Sequence, residues 1–173
     1  MNQINPVCIV ALKSNTIINN RLAQSFKFQL KFIVINEGSH TRLIQYIGSG
    51  KVVIRILQQK ETKHINIYKH IRYARLETAT YSKMTFARSL LMIKDKRSST
   101  TTILEASPLG QHFIQNEVDT NKKIGLLSYS YCKKLEKTTN STRNIWGKSY
   151  RLYYEKNLCI LIQEFFFSRN YCF

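Results

Sequence analysis

Apolar and polar positions alternate along most of the chain and predict a series of strands. The predicted strands are KVVIRILQQK (51–60), INIYKHIRYARLETAT (65–80), MTFARSLLMI (84–93) and a closing pair within 145–167. β-Branched and aromatic residues dominate them, as is typical of half-buried strands. Tight turns near residues 81–83 and 155–157 join neighbouring strands into two predicted hairpins.

A short helix is predicted within EGSHTRLIQYIGSGK, where Ser39 or Thr41 is a suitable N-cap and two glycines follow the last turn. Its apolar face consists of Leu43, Ile44 and Ile47. Residues 1–35 have weak periodicity and are predicted to be helical or loop-like. Residues 115–144 are the least patterned part of the chain and predict no element.

Strands in series with few interleaved helices indicate an α+β fold, in which an antiparallel sheet is backed by helices. At 173 residues, the chain is long enough for a single domain with a substantial core. We therefore predict an N-terminal segment (1–35) followed by the main domain (36–173), together forming one compact unit. A monomer is the favoured state.

The predicted strand LCILIQEFFF (158–167) carries one carboxylate, Glu164, among apolar residues. Alternate side chains of a strand share a face, so Glu164 lies beside Ile162 and Phe166. An isolated buried carboxylate is costly unless it is paired, hydrogen-bonded or protonated. Glu164 therefore lies at a solvent-exposed strand end or projects into a ligand pocket that needs an acid. The pattern alone favours the strand end.

Two arginines also lie on the more apolar side of their predicted strands. Arg72 shares a face with alanine and leucine, whereas Arg75 points the other way, and Arg88 shares a face with the apolar residues of the next strand. Each could reach solvent at a strand end. If the strands share one sheet face, Arg72, Arg88 and Glu164 converge. Two guanidinium forks suit a small dianion, and a nearby carboxylate can handle a proton or a hydroxyl.

The formal net charge of +17 at pH 7 favours an anionic partner such as nucleic acid, a membrane surface or a small polyanion. Composition offers another explanation, because the chain is rich in Ile, Asn, Lys, Tyr and Phe and poor in Ala and Gly. An A+T-rich genome, as in organelles, produces this bias and makes Lys the default surface residue. We favour the compositional explanation and keep nucleic-acid binding as an alternative.

Motifs for metal, redox and hydrolase chemistry are missing from the sequence. The four cysteines have no paired spacing, which favours a reducing compartment. The four histidines form no HxxxH or His–Glu pair, and no Gly-x-Ser-x-Gly stretch occurs. His64, His70 and His112 are predicted at the surface or at loop ends. Because no apolar run approaches the roughly 18 residues that span a membrane, we expect a soluble protein. The missing ligand spacing predicts that it holds no metal.

Four pieces of the chain, in order, resemble the chorismate lyase family and in particular its plastid and cyanobacterial branch, over residues 36–168. They are GSHTR (38–42), RYARLETATYSKMTFARS (72–89), SPLG (107–110) and the closing IWGKSYRLYY and LIQEFFF (145–167). The resemblance implies a cofactor-independent lyase that converts chorismate to 4-hydroxybenzoate and pyruvate. It further implies a soluble protein of the plastid stroma that feeds plastoquinone or other quinone synthesis.

By position in this resemblance, Arg72 falls on the arginine that holds the ring carboxylate, and Arg88 falls on a second pocket arginine. Glu164 falls on the carboxylate that faces the ring hydroxyl, which favours its pocket interpretation. His40 and Leu109 fall on positions whose backbone N–H groups help to cradle the carboxylate. The chain departs from the family in four places. His40 replaces a Met of better-known members, WGKSYR has one arginine fewer, and the final hairpin has an extra residue. The hairpin between the arginine strands is also one residue longer, so the choice of Arg72 rests on strand parity.

Two other functions stay open at this point. A non-catalytic module that binds a small anion could use the same fold, because a fold alone does not decide function. A basic RNA-associated organellar protein would interleave aromatic residues with Lys and Arg on an exposed face, as YCKKLEK and KSYRLYYEK partly do.

Overall fold

The computed structural model of the protein describes part of the chain, in which seven strands and one helix have defined bounds. The described residues are 5–11, 33, 36, 38–47, 50–64, 67–78, 85–93, 120–131, 145–154 and 158–167. The elements are β1 (Asn5–Ala11), α1 (His40–Ile47), β2 (Val53–His64), β3 (Ile67–Glu77), β4 (Thr85–Ile93), β5 (Thr120–Tyr131), β6 (Ile145–Tyr154) and β7 (Leu158–Phe167).

The strands form one sheet in the order β1-β5-β6-β7-β4-β3-β2. Every neighbouring pair is antiparallel, so the antiparallel sheet predicted from the sequence is confirmed. The predicted strands form the meander β2-β3-β4 and the hairpin β6-β7. β7, the last of these strands along the chain, lies in the middle of the sheet between β6 and β4.

Two strands differ from the expectation raised by the sequence. Residues 5–11 form β1, which pairs with β5, so the prediction of a helix or loop is wrong for this segment. β5 lies in the region for which no element is predicted. Its alternation is broken by a register shift at Gly125, because a bulge moves the following residues to the opposite parity.

Helices contribute less than the predicted α+β arrangement requires. In the described ranges, α1 is the one helix with defined bounds, so the architecture is mostly β rather than a sheet backed by several helices. No helix in this part of the chain is long and apolar enough to cross a membrane. The boundary at residue 35 stays a prediction.

α1 begins where the sequence predicts, with Ser39 as its N-cap. The Ser39 hydroxyl accepts a hydrogen bond from the backbone N–H of Arg42 at 3.3 Å, and the Ser39 carbonyl accepts one from the N–H of Leu43 at 3.1 Å. Ile44 is fully buried beneath the helix. Capping and the burial of one apolar side therefore fix α1 on the sheet.

The face of the sheet that α1 covers is called the inner face, and the opposite one the outer face. The core cluster on the inner face consists of Ile33, Ile44, Leu76, Leu127, Trp146 and Phe166. Burying a large apolar side chain contributes roughly 1.5–3 kcal/mol, so this cluster anchors the helix. On β7, Glu164 lies two residues before Phe166 and shares its face, so the apolar core ends at a buried carboxylate.

Candidate active site

Strand register arranges the inner-face residues in rows across the sheet. In one row, Glu164 pairs with Ala87 of β4 on one side and with Lys148 of β6 on the other. Directly paired residues of antiparallel strands point to the same face, so both flank the carboxylate. Ala87 in turn pairs with Ala74 of β3. Two alanines therefore give Glu164 room on the side of β3.

Arg72 lies on the inner face of β3, two residues from Ala74. Its side chain is buried, and burial lowers the pKa of the guanidinium from its usual value. Two strand spacings across and two residues along the sheet separate it from Glu164, about 12 Å between Cα atoms. Arg75 lies on the outer face, where it forms an ion pair with Glu77. The structure thus brings Arg72, and not Arg75, to the face that carries Glu164.

Arg88 lies on the outer face, so the expectation that it converges with Arg72 and Glu164 is wrong. Its register partners are Tyr73 of β3 and Gln163 of β7. Each of these directly precedes an inner-face residue, Ala74 or Glu164, and therefore points to the outer face. The guanidinium donates to Gln163 Oε1 at 3.4 Å and lies 5.8 Å from the centre of the Tyr73 ring. Because β4 has apolar residues on both faces, hydrophobicity alone assigns it the wrong parity.

The two oxygens of the Glu164 carboxylate, which is 5% exposed, have different surroundings. Oε1 accepts a hydrogen bond from the Tyr150 hydroxyl at 2.8 Å. Oε2 is buried and has no hydrogen-bond partner among the described residues. Burial first, and then the neighbouring Glu164, raise the pKa of Tyr150 well above its usual value, so the phenol remains a donor at neutral pH. One oxygen is held in place, and the other can receive a ligand.

Two lysines of neighbouring strands tie the chain that precedes α1 to the sheet. The Lys148 side chain is 1% exposed, and its ammonium donates to the carbonyls of Ile33 at 3.3 Å and Asn36 at 2.6 Å. Lys122 of β5 donates to the carbonyls of Gly38 at 2.9 Å and Asn36 at 3.4 Å. These contacts hold Ile33, Asn36 and Gly38 against β5 and β6.

The same lysines make the site electropositive. Their ammonium nitrogens lie over the Tyr150 ring, 4.3 Å from its centroid for Lys122 and 5.7 Å for Lys148. With Arg72, they place three cationic side chains on the inner face around one carboxylate. Such an excess of positive charge in a buried site favours an anionic ligand.

His40, the first residue of α1, turns its side chain toward the sheet. Its Nε2 is 3.0 Å from Thr85 Oγ1, and its ring packs against Phe166 with centroids 5.0 Å apart. Burial lowers the pKa of His40 to about 4, the charge of Glu164 opposes this shift, and nearby lysines reinforce it. The imidazole is therefore neutral at pH 7. Its Nδ1 is buried without a hydrogen-bond partner in the described part of the chain.

Three residues of this site are absent from the sequence-based prediction, namely Tyr150, Lys148 and Lys122. Alternation within IWGKSYRLYY places Lys148 and Tyr150 on the face of Trp146 and Leu152, so a lysine on an apolar face is visible in the pattern. Lys122 lies just before the bulge of β5, where the pattern offers no comparable signal.

The remaining expectations have mixed outcomes. His70 is buried on the inner face of β3, because it shares parity with Arg72, and is not a surface residue as predicted. His64 is exposed, as predicted. Leu109, His112 and the SPLG turn lie outside the described residues. Within the described ranges, no group of three or more His, Cys, Asp or Glu residues could hold a metal ion.

Residues 34–171 match the protein family described as "Chorismate pyruvate-lyase Rv2949c-like". The chain belongs to this family. The chain is similar to the "Uncharacterized protein ycf21" of Antithamnion sp.. The two are 30% identical over 162 residues, which cover 94% of this chain and 89% of that protein. The family resemblance found in the sequence is therefore confirmed. The description of the family as a chorismate pyruvate-lyase suggests a small anionic substrate, in agreement with the cationic side chains around Glu164.

Proposed function

We propose that this Rv2949c-like protein converts chorismate to 4-hydroxybenzoate and pyruvate. The observation that carries the proposal is that the two oxygens of the Glu164 carboxylate have different surroundings. Oε1 accepts a hydrogen bond from Tyr150, whereas Oε2 is buried and available to a ligand. Arg72 lies on the same face of the sheet. A carboxylate held in this way can accept a hydrogen bond from a ring hydroxyl and take part in proton transfer. A guanidinium across the sheet can bind the ring carboxylate through two parallel hydrogen bonds.

The proposed reaction is an elimination that makes the ring aromatic. The bond between the ring carbon and the enolpyruvyl oxygen breaks, and a proton leaves the ring carbon that bears the hydroxyl. The electron pair of the broken bond stays on the oxygen, so the departing group is an enolate. It gains one proton on its methylene carbon and becomes pyruvate, so the reaction is redox-neutral. The side chains then have three tasks, which are to bind the carboxylates, to orient the hydroxyl and to stabilise the charge that develops on the leaving oxygen.

The charges of the site support a substrate with two carboxylates. Arg72 is assigned to the ring carboxylate. Lys122 and Lys148 already donate to backbone carbonyls, so they act on the second carboxylate and on the leaving enolate through their field. Backbone N–H donors from His40 and Leu109 at the ring carboxylate stay a prediction.

Incubation of the purified protein with chorismate tests the proposal. Pyruvate is measured by a coupled lactate dehydrogenase assay and 4-hydroxybenzoate by chromatography, and the two should appear in equal amounts. Exhaustive chelation should leave the rate unchanged, because every step is assigned to side chains. If folded protein binds 4-hydroxybenzoate but releases no pyruvate, the chain is a binding module, and if it does neither, the substrate assignment is wrong.

We place this activity in a plastid, where 4-hydroxybenzoate would enter quinone synthesis. The support is the bias of the composition toward Ile, Asn, Lys, Tyr and Phe, together with similarity to a protein of Antithamnion sp.. Immunodetection in purified plastid stroma, with cytosolic and mitochondrial fractions as controls, tests the location.

A further inference from the structure

Two buried polar atoms without a partner in the described part of the chain lie at the Glu164 end of the site. One is Oε2 of Glu164, which the proposed function already uses, and the other is Nδ1 of His40. An unpaired buried polar group is costly, so native proteins usually pair such groups. A ligand that bonds to both atoms would recover this cost.

His40 and Glu164 are neighbours in the fold. The His40 ring packs on Phe166, which shares the inner face with Glu164 two residues away. Thr85, which contacts His40 Nε2, is the register partner of Phe166 across β4 and β7. The Glu164 carboxylate is also the charged group that acts most strongly on the imidazole. The imidazole of His40 therefore lies at the Glu164 end of the site.

The direction of the hydrogen bond between Thr85 and Nε2, which depends on the tautomer of His40, decides what Nδ1 can offer. A neutral imidazole carries one N–H and one acceptor nitrogen. When the Thr85 hydroxyl donates to Nε2, the ring proton is on Nδ1, which then is a donor. A hydroxyl group on a ligand both donates and accepts, so one hydroxyl can donate to Glu164 Oε2 and accept from His40 Nδ1–H.

We propose that His40 is a specificity-determining residue whose Nδ1–H donates to the same ring hydroxyl that donates to Glu164. This inference rests on the proposed function, because it takes a hydroxylated ring as the ligand. A ring without the hydroxyl leaves both buried atoms unpaired, and sites built for a hydroxyl discriminate strongly against analogues that lack it.

Two substitutions separate the halves of the imidazole. His40→Asn retains a polar atom near the Nδ1 position and loses the contact with Thr85, whereas His40→Gln retains a polar atom near Nε2 and loses the one at Nδ1. The probes are 4-hydroxybenzoate and benzoate, with affinities measured by isothermal titration calorimetry and folding checked by circular dichroism. Because binding is measured, the test does not depend on turnover.

We expect the natural protein to prefer 4-hydroxybenzoate over benzoate by about 100-fold or more. His40→Gln should reduce this preference about tenfold, entirely through weaker binding of 4-hydroxybenzoate, whereas His40→Asn should keep it within about threefold. The reverse pattern, in which Asn loses the preference and Gln keeps it, would overturn the inference, because His40 would then only hold Thr85.

A spectroscopic measurement on the unsubstituted protein covers the case in which a variant does not fold. In ¹⁵N NMR of the His40 ring, 4-hydroxybenzoate should shift Nδ1 and benzoate should leave it unchanged. Equal shifts with both ligands would overturn the role of His40 while leaving the proposed function intact if chorismate still yields pyruvate. Failure of the natural protein to bind 4-hydroxybenzoate at all would remove both.

Discussion

Glu164 can offer only one oxygen to a ligand, because Tyr150 holds the other. Glu164→Gln keeps the shape of the side chain and its hydrogen-bonding capacity but removes the charge and the proton-handling role. We expect this variant to fold, to bind 4-hydroxybenzoate and to turn chorismate over about 10²–10⁴-fold more slowly. Steady-state kcat is the measurement, and Glu77→Gln on the outer face is the matched control. Full activity of Glu164→Gln would leave the carboxylate without a chemical role.

Arg72 should be sensitive to geometry as well as to charge. A guanidinium binds a carboxylate through a planar fork, whereas the ammonium of lysine is a point charge. Arg72→Lys should therefore fail nearly as badly as Arg72→Ala, with kcat/KM for chorismate reduced about 30- to 1,000-fold. Arg75→Ala and Arg88→Ala, both on the outer face, should keep kcat/KM close to that of the natural protein. A loss confined to Arg88→Ala would place the substrate on the other side of the sheet.

His40 should make the fold sensitive to mild acid. Its pKa falls from 6.5 to about 4 on burial, so the unfolded chain binds a proton between these pH values while the folded protein does not. The free energy of unfolding should therefore decrease as the pH falls from 6.5 through 4, by about 3 kcal/mol in total. Urea unfolding across this range measures the slope, which should shrink in His40→Gln. An unchanged slope would mean that another group titrates.

At the scale of elements, the position of α1 depends on the two lysines that bind the chain before it. In Lys148→Met the new side chain is similar in length to lysine, but the carbonyls of Ile33 and Asn36 lose the ammonium donor. Unfolding free energy should fall by about 1–3 kcal/mol, and 4-hydroxybenzoate should bind more weakly because His40 follows this segment. Denaturant unfolding and calorimetry check both effects. Lys123→Met, an exposed position on β5, should change neither.

How far the sequence predicts an element depends on how different its two faces are. β3 alternates cleanly, so parity places Arg72 inside and Arg75 outside, as found. β4 has small residues such as Ala87 on the inner face and Phe86 on the outer face, so its more apolar side is not the side of the site, and Arg88 is misplaced. The pairing of β4 with β3 and β7 decides which of its two faces is the inner one, and the sequence of β4 alone does not reveal this pairing.

β5 illustrates a second limit. Its inner-face residues change parity at Gly125, so Lys122 and Leu127 share a face although they are five residues apart. The hydrogen bonds from Lys122 and Lys148 to the carbonyls of Ile33, Asn36 and Gly38 join residues more than 80 positions apart, which local patterns do not encode. The antiparallel sheet, Glu164 and the placement of Arg72 were therefore predictable, whereas the position of Lys122 and the contacts of both lysines with the residues before α1 were not.

At the scale of the whole molecule, the net charge of +17 should assist the capture of an anionic substrate. Salt screens long-range attraction, so KM for chorismate should rise about 3–10-fold between about 50 and 500 mM salt, while kcat stays nearly constant. Steady-state kinetics across this range, with potassium chloride and potassium acetate compared, checks the effect. A KM independent of salt would indicate that the positive charge reflects composition and not substrate capture.

The central position of β7 also bears on how the protein is made. Among the described strands, β7 is the one that pairs with both β4 and β6, yet it follows all the others in the sequence. During translation, the β2-β3-β4 meander and β6 leave the ribosome first, each with an unpaired edge that invites aggregation. The arrival of β7 joins the two halves and delivers Glu164 in the same event. A nascent chain that stops before β7 therefore has neither a continuous sheet nor Glu164.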